Sequence, residues 1–115
     1  MTSEKSDKDQ PIWVYMTTTH KRDARILARR LLEAKLVACV NFLERWTSMY
    51  RWKGEIHEDR ETVLIAKSKM RHFENIEKHV KETSSYDCPC LIAIPIIAGH
   101  RPYLQWLEEE TNTSS

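Results

Sequence analysis

The stretch LVACVNFLERWTSMYRWKGEIHEDRETVLIAK, residues 36–67, decides the fold. It opens on Leu36–Phe42, an apolar and β-branched run with strand character, and Thr47–Trp52 continues that strand. Lys53-Gly54 is a turn signal. Behind it a second segment climbs through Glu61 to Lys67 and is most strand-like over Thr62–Ala66. Together they read as one long antiparallel hairpin, and its flanks say what surrounds it.

On the N-terminal side, Ile12–Thr17 is a short apolar and aromatic run after Pro11. Both its faces are largely apolar, which suits a strand in the centre of a sheet. Residues 20–35 then switch to helical period, with Ala24, Leu27, Ala28, Leu31 and Leu32 forming a core-facing stripe. Thr19 is placed to cap this helix. Its basic residues, Lys21, Arg22, Arg25, Arg29 and Arg30, read as a solvated face rather than a phosphate site. On the C-terminal side, Lys69–Thr83 is helical, with Met70, Phe73, Ile76 and Val80 as its stripe. Pro89–Ala98 is the last strand, and Pro95 inside it calls for a sheet edge or a bulge. Pro102 suits the first turn of a further helix that carries Tyr103, Trp106 and Leu107 on its apolar side. Glu108, Glu109 and Glu110 crowd the end of that helix, where the dipole disfavours carboxylates, so its last turn is expected to fray.

Strand, helix, hairpin, helix, strand is the split βαβ order of an α+β, ferredoxin-like βαββαβ sandwich, here with an added C-terminal helix. Right-handed crossovers place both long helices on one face of the sheet. The other face then lacks cover within the chain, and an exposed apolar sheet of that size marks an interface. Self-association follows from the pattern, although its stoichiometry does not.

Length and composition agree. A chain of 115 residues makes one domain, assigned to residues 11–110, with Met1–Gln10 and Thr111–Ser115 expected as disordered tails. Four Trp and four Tyr are more large aromatics than so small a core hides easily. A formal net charge of +1 argues against a nucleic-acid partner as the default. Apolar runs such as Leu91–Ala98 are too short to span a bilayer, so no membrane partner is expected. The polar N-terminus lacks an apolar signal core. With three cysteines, Cys39, Cys88 and Cys90, it points to reduced thiols in the cytoplasm rather than a disulfide scaffold.

The motifs that carry chemistry are few. Cys88-Pro89-Cys90 is the most suggestive, because residues two apart in an extended chain point to one side. Their sulfurs can then converge on a soft ion such as Cu(I) or Zn(II). The competing reading is two buried thiols acting as small apolar residues, and Cys39 is expected in the core. His72 and His79 lie two helical turns apart, about 10.5 Å along the axis, too far to share an ion, and read as surface imidazoles. There is no nucleophile elbow and no glycine-rich phosphate loop, so no enzymatic activity is expected. Glu61 and Lys67 fall on one face of a strand, either lining a pocket together or forming an ion pair.

Three stretches resemble the CutA divalent-cation-tolerance family. The first is Leu32–Asn41, with Lys35-Leu36-Val37-Ala38-Cys39-Val40-Asn41 at its centre. The second is Ser48-Met49-Tyr50-Arg51-Trp52-Lys53-Gly54-Glu55-Ile56, followed by Glu58-Asp59-Arg60-Glu61 and Ala66-Lys67-Ser68. The third is Tyr86-Asp87-Cys88-Pro89-Cys90, with Gly99 and Tyr103-Leu104 then Trp106 further on. The resemblance covers about residues 12–107. It implies a PII-like homotrimer of ferredoxin-like subunits, tolerance to divalent ions, copper as the metal, and no established enzymatic reaction. It places Ser48, Tyr50, Trp52, Glu61, Lys67 and Tyr86 around ligand-binding clefts between subunits. Several positions depart from the family pattern. Thr83 and Ser84 stand where histidines occur in other members, Cys90 replaces a glutamate, and Met16 aligns with a cysteine. Met16, Cys88 and Cys90 are the metal ligands this implies, a soft set suited to Cu(I). The alternative is a trimeric sensor or scaffold that holds a small anion beside Lys67.

Overall fold

The computed structural model describes residues 7–113. The strands are β1 (Pro11–Thr18), β2 (Cys39–Trp52), β3 (Glu55–Lys69) and β4 (Leu91–Pro95). The helices are α1 (Lys21–Glu33), α2 (Phe73–Thr83), entered through a 3₁₀ turn at Met70–His72, and α3 (Arg101–Glu110). The sheet runs β2-β3-β1-β4 with every neighbouring pair antiparallel, the arrangement of an α+β ferredoxin-like sandwich. β1 is central, as its two apolar faces require. β4 lies at the edge, where Pro95 withholds no needed donor.

Strand register sorts the side chains into two faces. Val14 lies opposite Ala66 and Ala93, and Met16 opposite Leu64 and Leu91. These residues join Ala24, Leu27, Ala28 and Leu31 of α1 and Ile76 and Val80 of α2 in one buried cluster. Full burial of a Leu or Ile side chain contributes about 1.5–3 kcal/mol, so this cluster is the main source of stability. On the other face, Trp13, Ile92 and Ile94 remain 42%, 50% and 43% exposed. The surplus of aromatic and aliphatic surface expected from the composition is located there.

Local backbone chemistry sets the corners. The β2–β3 turn has positive φ at both central residues, Lys53 (51°) and Gly54 (82°), as a tight hairpin turn with right-handed twist demands. α1 ends with Lys35 at φ 60°, where the Leu36 N–H donates to Leu31 O and the Lys35 N–H to Leu32 O. This is a Schellman cap with lysine in the place glycine usually takes.

Several expectations are corrected. Thr19 does not cap α1: His20 holds that position, and the Thr19 hydroxyl shares a 3.1 Å hydrogen bond with Ser85. β2 begins at Cys39 rather than Leu36, because Leu36 and Val37 turn into the core behind α1. Lys69 ends β3 rather than opening a helix, and Met70 is exposed. β4 is shorter than Pro89–Ala98. Cys39 is only partly buried and faces away from the helices, across from Lys67.

The chain ends are also more ordered than expected where they are described. Residues 1–6 and 114–115 of the expected tails lie outside the described residues. Asp7–Asp9 form a 3₁₀ turn, the Gln10 side chain donates to Ile96 O at 2.9 Å, and Arg71 pairs with Asp9 at 2.7 Å. The last turn of α3 does not fray. The Lys69 ammonium, its side chain only 3% exposed, donates to the Glu108 carboxylate at 2.9 Å and to Asn112 Oδ1 at 3.0 Å. A cation at a helix C-terminus offsets both the dipole and the crowded carboxylates. Thr111 is fully buried and its hydroxyl donates to Leu107 O at 2.8 Å.

Candidate functional site

A β-bulge builds the site. Leu43 lies opposite Val63, but the next pair is Trp46 with Glu61, so β2 spends one extra residue between them. Arg45 stands at the bulge with φ 59°. Before it, odd-numbered residues such as Asn41 and Leu43 share the helix-free face. Beyond it, Ser48, Tyr50 and Trp52 take that face instead. They line a cleft of about 510 Å³ with Tyr15 and Thr17 of β1, Glu61 of β3 and residues from the segment between α2 and β4.

That segment is pinned from two directions. The Tyr86 N–H donates to Ser84 Oγ at 3.0 Å, and the Thr19–Ser85 hydroxyl pair ties it to the corner between β1 and α1. The Tyr86 phenol then reaches across and donates to Glu61 Oε2 at 2.5 Å. Burial and this hydrogen bond push the Tyr86 phenol up to about 12, so it remains a donor at neutral pH. Tyr50 donates to Asp59 and stacks on His57 with ring centroids 5.7 Å apart. That bond raises its phenol, and burial, with Cys90 and Glu61 nearby, raises Tyr15.

Cys88 and Cys90 both face this cleft. Burial, with Glu61 and Cys88 adding to it, pushes the Cys90 thiol up. Met16 is fully buried on the helix side of the sheet, opposite Leu64 and Leu91. The sheet therefore separates it from the two cysteines and removes it from any ligand set with them. Lys67 is also apart, about 20 Å along β3 from Glu61. It lies across from Trp13 and Cys39, donating to Asn41 Oδ1, with Cys39 Sγ 3.8 Å away. Thr83 and Ser84 are used structurally, as the Thr83 hydroxyl donates to His79 O and Ser84 accepts from Tyr86.

Of the residues expected around clefts between subunits, Ser48, Tyr50, Trp52, Glu61 and Tyr86 line this cavity of the single chain, and Lys67 lies farther along the same face of the sheet. Sequence reasoning missed Tyr15, Thr17, Ser85 and Asp87. The alternation of β1 carries the signal for the first two, since Tyr15 and Thr17 share the face turned from the helices. Among the described residues, no three His, Cys, Asp or Glu side chains cluster as a ready metal site. The cleft supplies two thiols and the carboxylates of Glu61 and Asp87. The thiol pair is a soft donor set that fits Cu(I) better than a hard divalent ion.

Comparison with known proteins agrees with this architecture. The family model described as CutA1 divalent ion tolerance protein matches residues 12–110. The divalent-cation tolerance protein CutA of Thermus thermophilus is 41% identical, over 85% of this chain and 95% of its own length. The chloroplastic protein CutA of Arabidopsis thaliana is 38% identical, and the match spans 94% of this chain and 60% of the relative. The crystal structure of CutA1 from Oryza sativa superposes with a TM-score of 0.87 at 37% identity, covering 95% of this chain and all of that one. With a family match from the first residues of β1 to the end of α3, the chain belongs to the CutA1 divalent ion tolerance protein family.

Proposed function

We propose that this chain acts in divalent metal-ion tolerance as a PII-like homotrimer, and that it takes copper, as Cu(I), at the Cys88–Cys90 pair. The observation that carries the reading is the cleft lining, where two thiols and two carboxylates face one cavity and, among the described residues, no lysine or arginine does. Thiolates are the ligands that select Cu(I), and they bind only once deprotonated, so uptake strengthens as pH rises. Three free cysteines favour a reducing compartment, and we place the protein in the cytoplasm. The reading is non-catalytic, since the family's description names ion tolerance rather than a reaction. An anion held beside Lys67 is not favoured, because that cation stands outside the cleft.

The test is native mass spectrometry under reducing conditions, with and without Cu(I). The expected result is a trimer carrying copper on each chain, and loss of that copper from the Cys88→Ser/Cys90→Ser variant with the trimer intact. Unchanged copper stoichiometry in the double variant rejects the site.

A further inference from the structure

The cleft has a second chemistry that its thiols do not use. Four aromatic rings line it from three separate segments: Tyr15 on β1, Tyr50 and Trp52 on β2, and Tyr86 on the segment before β4, with one side of Tyr50 stacked on His57 and the Lys53 ammonium 5.9 Å from the Trp52 centroid. Glu61 and Asp87 add carboxylates to the same wall, and among the described residues no Lys, Arg or His lines it. A cavity of about 510 Å³ is in the range that encloses a small organic molecule.

Each feature excludes a ligand class. Aromatic faces are the negative side of the ring quadrupole, and with two carboxylates beside them they repel an anion. A small hard metal ion gains nothing from rings that do not ligate it, and prefers convergent oxygens. A neutral apolar ligand gains nothing from the carboxylates. A diffuse cation with an apolar skin satisfies both, since alkylated ammonium groups are drawn to ring faces and shed water easily.

We propose that this cleft binds a small organic cation, a quaternary or alkylated ammonium, held against Tyr15, Tyr50, Trp52 and Tyr86 with Glu61 and Asp87 as countercharge. The Tyr86 phenol donates to Glu61 Oε2 and holds that carboxylate at the cavity wall. The inference shares the cleft with the copper reading but does not rest on it, since the thiols are not part of this recognition.

The test is isothermal titration of the full-length assembly with choline chloride and with 3,3-dimethylbutan-1-ol, its uncharged carbon isostere. Choline is expected to bind about tenfold more tightly, in keeping with a desolvated cation–π contact. Glu61→Gln keeps the side-chain shape and an acceptor for Tyr86, and is expected to weaken choline several-fold while leaving the isostere unchanged. Trp52→Leu lies near the hairpin tip and gives an independent loss if the Glu61 variant does not assemble. Equal affinity for choline and its isostere, no choline binding at all, or unchanged binding in both Glu61→Gln and Trp52→Leu overturns the proposal. Copper uptake without choline binding rejects this inference alone, and choline binding without copper uptake rejects the metal reading alone.

Discussion

His72 is 3% exposed, and its Nε2 lies 2.7 Å from the Thr111 carbonyl oxygen. Burial lowers its pKa below the usual 6.5, and Lys69 and Arg71 lower it further, against the Thr111 hydrogen bond and Glu108. The unfolded chain therefore takes up a proton near pH 6.5 that the folded chain refuses until lower pH. The stability this imidazole supplies is complete above that value and is lost as pH falls toward the depressed folded pKa. Thermal melts from pH 7.5 to 5 should show the decline, and His72→Gln should flatten its His-dependent part. Little of this was legible in the sequence. Spacing makes His72 a surface imidazole, and the carbonyl it meets, that of Thr111, lies far along the chain. Met16 misled for a related reason. A central strand with two apolar faces does not announce which face the helices will cover.

The hairpin is the element where reading and structure part most instructively. Lys53-Gly54 announces the turn, and the structure places both residues at positive φ. The bulge between Leu43 and Trp46 left no such mark. Val40 and Phe42 pack toward the helices, Ser48, Tyr50 and Trp52 face the cleft, and all are even-numbered. An apolar alternation that keeps its phase conceals a backbone that has changed face. Deleting Arg45 removes the extra residue and restores regular pairing, with Trp46 still opposite Glu61 and Ser48, Tyr50 and Trp52 still on the cleft face. Choline-dependent NMR shifts should then persist, and amide protection over Thr62–Lys69 with them, because its pairing with β1 is untouched. Of the candidate cleft, the β2 row and the Glu61 and Tyr86 positions were readable through resemblance. The separation of Lys67 from them within one chain was not, because one strand face runs through two separate neighbourhoods.

At the scale of the molecule, the elongated shape, 51 × 28 × 24 Å, comes with a sheet whose second face is apolar and half-exposed. Fold class was the most legible property, since element order alone selects the split βαβ arrangement. Assembly was legible as a need rather than a number, because a surplus of apolar surface does not count its partners. The trimer reading predicts that Ile94→Lys, on the edge strand, shifts native mass spectra from trimer toward monomer and exposes Trp13 to fluorescence quenching. A fluorescence and mass profile unchanged from wild type rejects that face as the interface. The strand order also has a consequence for synthesis on the ribosome. β1 leaves the exit tunnel before the other strands, yet one of its two partners is β4, so residue 12 meets residue 95 only after every element between them has been made. The β2–β3 hairpin, a local pairing, can zip within microseconds of emerging. The nascent chain therefore carries a formed hairpin beside a half-paired central strand, and chaperone contact should fall in that interval and cease once β4 docks.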